Sequence, residues 1–200
     1  TGLVLPIARL VAALDDRGID TLVDGAHGPG MLPLDLKALG AAYYVANLHK
    51  WVCAPKGVGF LAARADRLDG LHPAIISHGH AFPLDRAGGY SRFHLEFDWT
   101  GTDDPSPMLC VPLAIEVVGA IHPDGWPGWQ ARNRAVTLTG RARMAEALGV
   151  ELPCSDDMIG SLAALPLPDA DHAPPSSALY TGPLQAALFE RFGVEVPIVP

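Results

Sequence analysis

A layered α/β fold is what this sequence predicts, and three observations predict it. Short apolar runs stand at Thr21-Leu22-Val23, at Ala42 to Ala46 and at Val58 to Ala63. Stretches with helical spacing lie before and between them. Polar or glycine residues punctuate the joins, and alternation of buried strands with helices marks a layered sheet. The 200 residues suffice for one large domain or two small ones, and the hydrophobic share of 49% indicates a packed core over disorder.

Each element has its own signal. Pro6 opens a helix that carries Ile7, Leu10, Val11 and Leu14 on one face, and Arg17-Gly18 ends it. The run to Val23 reads as a buried strand closed by Asp24-Gly25. Asp35 to Leu39 reads as a short helix stopped by Gly40. The runs at 42–46 and 58–63 supply two further strands. From Leu71 to Thr102 the pattern is irregular and rich in His, Gly and aromatic residues, a composition suited to a site wall or a subunit contact. Helical spacing returns over Pro107 to Ile121, interrupted at Pro112, and again from Trp129 to Leu148. A strand is expected near Ile159 to Leu165, a Pro-, Asp- and Ser-rich loop from Pro166 to Ser177, and a helix from Pro183 to Phe192. The turn His122-Pro-Asp-Gly125 divides the chain into expected domains at 1–122 and 123–200.

The bulk numbers exclude some partners. A net charge of -8 argues against nucleic acid and anionic membrane, because phosphate surfaces need a basic face. No apolar run reaches the ~18 residues of a membrane helix. Cys53, Cys110 and Cys154 are odd in number and widely spaced, which fits a reduced, cytoplasmic protein. The chain opens on Thr1-Gly2 without an initiator Met and stops at Val196-Pro-Ile-Val-Pro200, in what reads as an unfinished strand. A fragment is therefore expected, the second domain being incomplete.

Chemistry concentrates around one lysine. Of Lys37, Lys50 and Lys56, only Lys50 follows a buried strand between His49 and Trp51. Asp24 ends the preceding strand, and ligands of α/β sheets sit at such strand ends. An amine and a carboxylate so placed suit pyridoxal phosphate (PLP), which needs one to carry it and one to keep its pyridine nitrogen protonated. His27 is placed to hydrogen-bond the ring's phenolic oxygen, and Asn47 and His49 to donate to its phosphate. His78-Gly-His80, with His72 or His94, suggests a metal, but no carboxylate or cysteine pattern accompanies the histidines, and none is expected there. Asp24-Gly-Ala-His-Gly-Pro-Gly30 only loosely resembles a phosphate-cradling loop. Cys154 lacks the setting of a catalytic cysteine.

The strings Val23-Asp-Gly-Ala-His27, Asn47-Leu-His-Lys-Trp51 and Ala54-Pro-Lys-Gly57 resemble the class V aminotransferases of PLP fold type I. Phe97-Asp-Trp-Thr-Gly-Thr102 places the resemblance in their isopenicillin N epimerase-like branch. It runs from Thr1 to about Thr102. It implies the C-terminal part of a large domain, with a mixed, mostly parallel sheet and helices on both faces, followed by a small α+β domain. It assigns Lys50 to the covalent hold on PLP, Asp24 to the pyridine nitrogen, and His27 to the position of a Gln that contacts the phenolic oxygen in desulfurases. Asn47 stands where those enzymes carry Ser and, with His49, binds phosphate. Thr102 reaches the phosphate of a neighbouring subunit's cofactor, so a homodimer with shared sites is implied. The ring-stacking residue and the first phosphate turn fall before Thr1, and the arginine for the substrate carboxylate falls after Pro200. The expected activity is chemistry at the Cα of an amino acid, first as an epimerase and second as a carbon–sulfur lyase. An inactive binding or dimerisation scaffold is a third reading, against which Asp24, His49 and Lys50 count.

Overall fold

The computed structural model describes residues 2–168 and 182–198. Its sheet has the order β1-β2-β3, with β1 spanning Leu22–Asp24, β2 Tyr43–Asn47 and β3 Gly59–Ala63. β1 and β2 are parallel, with Val23 opposite Tyr44. The antiparallel β3 places Phe60 opposite Ala46. A parallel pair needs a crossover, and this one runs through α2 (Leu36–Leu39). Asp35 caps α2 by accepting the Ala38 N–H at 2.9 Å, and Gly40 ends it in the left-handed conformation at φ 70°. α1 (Ile7–Asp15) precedes β1 and buries Val11.

The sheet is mixed, as expected, although only one of the two pairings among the described residues is parallel. β2 is the central strand, with Tyr44 and Ala46 buried on one face. Ala42, Val52, Ala54 and Val58 extend that core. β1 is not the buried strand its sequence suggests. Among the described residues it lies at the sheet edge with one neighbour, and Leu22 is 65% exposed.

The irregular segment contains two short helices, α3 (His78–Ala81) and α4 (Arg92–Phe97), packed on each other. The expectation that no carboxylate accompanies its histidines fails. Glu96 on α4 is buried and accepts from His72 and His80. The next helical stretch splits at Cys110 into α5 (Ser106–Leu109) and α6 (Val111–Gly119). Pro112 falls in the first turn of α6, where a missing N–H removes no helical bond. α7 (Gly125–Leu148) begins straight from the His122 turn, four residues before the expected start, and its Trp126 indole donates to the Ile115 carbonyl at 3.1 Å.

The strand expected near Ile159 to Leu165 is not formed. The carbonyl of its first residue has another partner. Arg134 of α7 donates to the carbonyls of Ile159 at 2.9 Å and Asp156 at 2.6 Å. The buried Arg141 pairs with the Asp156 carboxylate at 2.6 Å and donates to the Cys154 carbonyl. What remains is one bridge, Leu3 to Ile159, with the Val4 N–H donating to the Met158 carbonyl at 2.8 Å. α8 (Pro183–Phe192) forms as expected. The 166–177 loop lies outside the described residues from position 169 on, and residues 194–198 form no strand.

Surface ion pairs tie the layers together. Arg64, after β3, contacts Asp15 of α1 at 3.1 Å and Asp66 at 2.7 Å, and donates to the Gly40 carbonyl at 3.0 Å. These carboxylates hold the Arg64 guanidinium well above its ordinary pKa. Arg67 adds Asp20 at 2.8 Å. Exposed pairs of this kind contribute little singly, and here they fix how α1 and the β2–β3 edge meet.

Candidate active site

β1 and β2 are parallel neighbours, so Asp24 at the end of one and Lys50 just beyond the end of the other emerge on the same side of the sheet. Both line a cavity of about 750 Å³, together with His27, Tyr44 and the segment 2–9. The Asp24 Oδ1 accepts the Ala26 N–H at 3.0 Å, turning the chain so that His27 follows.

His27 is the hinge of the group. Its Nε2 lies 3.1 Å from Lys50 Nζ, and its Nδ1 accepts the Trp51 indole N–H at 3.3 Å. An indole is a donor only, so Nδ1 carries no proton and a neutral ring carries its proton on Nε2. Nε2, with its proton, faces Lys50 Nζ. Burial is the main influence lowering the His27 pKa below its ordinary 6.5, Lys50 adds to it, and Asp24 opposes it. The neutral ring is thereby favoured.

Tyr44 was not legible as a site residue. It is 5% exposed on β2, with its ring stacked near Phe60. Its hydroxyl lies against the loop that follows Asp24. A Cβ added at Gly25 would meet that oxygen at 2.0 Å, and one at Gly28 at 2.3 Å. Burial first, and Asp24 second, raise the Tyr44 pKa above 10.0, so the phenol stays protonated. Gly30 has φ +80°, and a Cβ there would stand 2.8 Å from the Trp51 carbonyl carbon. The glycines of this loop therefore let the His27 turn lie down on Tyr44 and Trp51, which accounts for the spacing that resembles a phosphate loop.

The other expected residues stand apart from this group. Asn47 ends β2 opposite Gly59, and neither it nor His49 lines the cavity. The His49 Nδ1 is taken up by the Val58 carbonyl at 3.2 Å, leaving Nε2 for a ligand. Thr102 is exposed in the bend before α5 and away from the cavity. It does not cap that helix, because the Ser106 N–H is accepted by Asp104 at 2.9 Å. Cys154 lies beside Arg141, its Sγ 3.4 Å from Nη2, and outside the cavity lining.

Comparison with known proteins identifies the family. The family model Aminotransferase class-V matches residues 1–105. Isopenicillin N epimerase of Streptomyces clavuligerus is 35% identical over 211 residues, covering 99% of this chain and 49% of that protein. A probable chloroplastic L-cysteine desulfhydrase of Arabidopsis thaliana is 32% identical over 199 residues, covering 98% of this chain and 39% of its own length. The chain thus spans about half, or less, of these relatives. In fold it resembles the cysteine desulfurase of Thermococcus onnurineus NA1, with a TM-score of 0.65 at 21% identity over 84% of this chain and 42% of that one. Sheet, motif strings and family match agree, and the chain belongs to the aminotransferase class-V family of PLP fold type I enzymes.

Proposed function

We propose that the complete protein is a PLP-dependent enzyme acting at the Cα of an amino acid, of the isopenicillin N epimerase type. One observation carries this reading. Asp24 and Lys50, from the ends of adjacent parallel strands, open on one cavity with His27 between them. The donor set fits the cofactor, offering an amine, a carboxylate and a neutral imidazole to a planar ring. The cavity also has the volume of a small-molecule site.

PLP, when bound, supplies an electron-poor ring that takes up the electron pair left by a bond broken at Cα. Asp24 holds a proton on the pyridine nitrogen. Lys50 carries the cofactor and takes or returns a proton at Cα. His27 orients Nζ and contributes a hydrogen bond beside it. His49, with Nδ1 committed to Val58, offers Nε2 to the phosphate, and Asn47 donates through its amide. Thr102 serves the cofactor of a partner subunit in a homodimer. No helix among the described residues is long and apolar enough to cross a membrane, and the acidic, cysteine-poor chain fits the cytoplasm.

A second reading, a carbon–sulfur lyase, is favoured by the L-cysteine desulfhydrase relatives. Borohydride reduction of the complete protein with PLP tests the shared part. The pyridoxyl label is expected on Lys50, and a label on Lys37 or Lys56 would refute the assignment. Incubation with L-amino acids then separates the branches. Loss of optical activity supports epimerisation, and sulfide with pyruvate supports lysis.

A further inference from the structure

Away from the cavity, one cluster of ligand-type side chains has no part in the chemistry above. One ligand atom each from His72, His80 and Glu96 lie within 4.8 Å of one another. Each Glu96 oxygen faces a different ring: Oε2 is 2.6 Å from His72 Nδ1, and Oε1 is 2.9 Å from His80 Nδ1. The carboxylate is 2% exposed, whereas the two imidazoles are 48% and 51% exposed. The rings stand edge to face, their centroids 6.1 Å apart.

Packing holds the donors in place. Arg92 and Glu96 are one turn apart on the same face of α4. Arg92 donates to the carbonyls of Gly79 at 2.5 Å, His80 at 2.7 Å and Phe82 at 3.0 Å, so α3 is gripped at its C-terminal end. Gly79 permits the approach, since a Cβ there would lie 1.6 Å from the Leu95 carbonyl oxygen. Arg92 thus locks α3 while Glu96 meets His80. His72 arrives from the turn closed by the Leu71 N–H to Leu68 carbonyl bond at 3.2 Å.

A carboxylate this deeply buried needs compensation of its charge. The ring nitrogens of His72 and His80 face it, and a bound cation between them balances its charge. We propose that His72, His80 and Glu96 form a binding site for a divalent transition-metal ion of the zinc class, separate from the Lys50 cavity. Two imidazole nitrogens and one carboxylate oxygen make a three-ligand zinc set, with a fourth position open on the exposed side. Calcium and magnesium prefer all-oxygen shells, so the nitrogens select against them. Zinc–ligand bonds of roughly 2.0–2.1 Å in a tetrahedron set neighbouring donors about 3.3 Å apart. The 2.6 and 2.9 Å contacts run to the two different oxygens of Glu96, and a bound ion replaces these hydrogen bonds as the two exposed rings turn to admit it.

The test is titration of Co²⁺ and Zn²⁺ into the metal-free complete protein with PLP bound. One ion per chain is expected at micromolar affinity or better, with Co²⁺ giving the visible absorption of a four-coordinate site. His72→Ala and His80→Ala should each weaken binding by at least about tenfold, and His78→Ala, from the same turn as His80, should leave it unchanged. Glu96→Gln should also lose binding. If that variant does not fold, the histidine variants decide the matter, because their rings are at the surface. Absence of saturable binding would overturn the site. So would a loss in His78→Ala equal to that in His80→Ala, or binding that survives both His72→Ala and His80→Ala.

Discussion

Lys50 Nζ stands 3.1 Å from His27 Nε2. The Trp51 indole, on the opposite ring nitrogen, decides which way that contact runs. Trp51→Phe removes that indole donor and lets the ring carry its proton on Nδ1, turned away from Lys50. A fall in kcat of about tenfold is expected, with the cofactor still bound. Steady-state kinetics beside cofactor absorbance checks this, and an unchanged kcat would remove Trp51 from the account. The same ring should titrate below 6.5, because burial and Lys50 disfavour its charged form. The sign follows directly: stability from the neutral ring is complete above pH 6.5 and is lost as pH falls through the folded midpoint. A His27 midpoint at or above 6.5 by NMR would contradict it.

The contact between Tyr44 and the His27 loop predicts a selective rescue. Gly28→Ala should destabilise by about 1–3 kcal/mol through overpacking against the Tyr44 hydroxyl. In a Tyr44→Phe background most of that loss should vanish, since the ring carbon Cζ is 3.7 Å from the new methyl. Gly25→Ala should not be rescued, because Cζ itself lies at 2.1 Å from its Cβ. Denaturant unfolding of the double-mutant cycles measures both. Equal rescue at the two positions would mean that the loop moves as a unit.

Glu96 predicts the acid limb of stability. Hydrogen bonding from His72, then from His80, holds its pKa below the ordinary 4.5 against the opposing effect of burial. The stabilisation is therefore fully present above pH 4.5 and lost as pH falls through the lowered folded value. In metal-free protein, Glu96→Gln should flatten the fall in thermal midpoint below pH 4.5. A variant whose acid limb matches that of the parent would place the charge compensation elsewhere.

Thr102 is exposed in the bend before α5 and is not the N-cap of that helix, a position held by Pro105. Mixing Thr102→Ala with Lys50→Ala subunits of the complete protein tests its service to a neighbour. If Thr102 acts across subunits, one site of each mixed dimer carries both defects and the other none, so about half the activity per dimer returns. Activity no higher than that of Thr102→Ala alone would place Thr102 in its own site.

The sequence was most legible at the strand ends. Asp24, His27 and Lys50 follow apolar runs whose parallel pairing brings them together, and local punctuation marks those ends. Tyr44 was hidden because its duty is a contact with glycines 16 and 19 residues earlier, which no periodicity records. Glu96 was hidden for a similar reason, since its partners lie 24 and 16 residues away. The strand expected after Ile159 failed because strand propensity says nothing about competing side chains, and two arginines of α7 claimed the backbone and carboxylate partners just before it.

Arg134 and Arg141 have a mechanical consequence. They moor residues 154–159 to α7, and that segment holds Leu3 and Val4 through the Ile159 bridge and the Met158 carbonyl. Leu3 and Val4 are part of the cavity wall. A long helix of 24 residues is thus geared to one wall of the cavity through a short run of backbone. Any axial slide of α7 must carry that wall with it or strip those bonds, so the cavity senses the position of a helix that lies outside it.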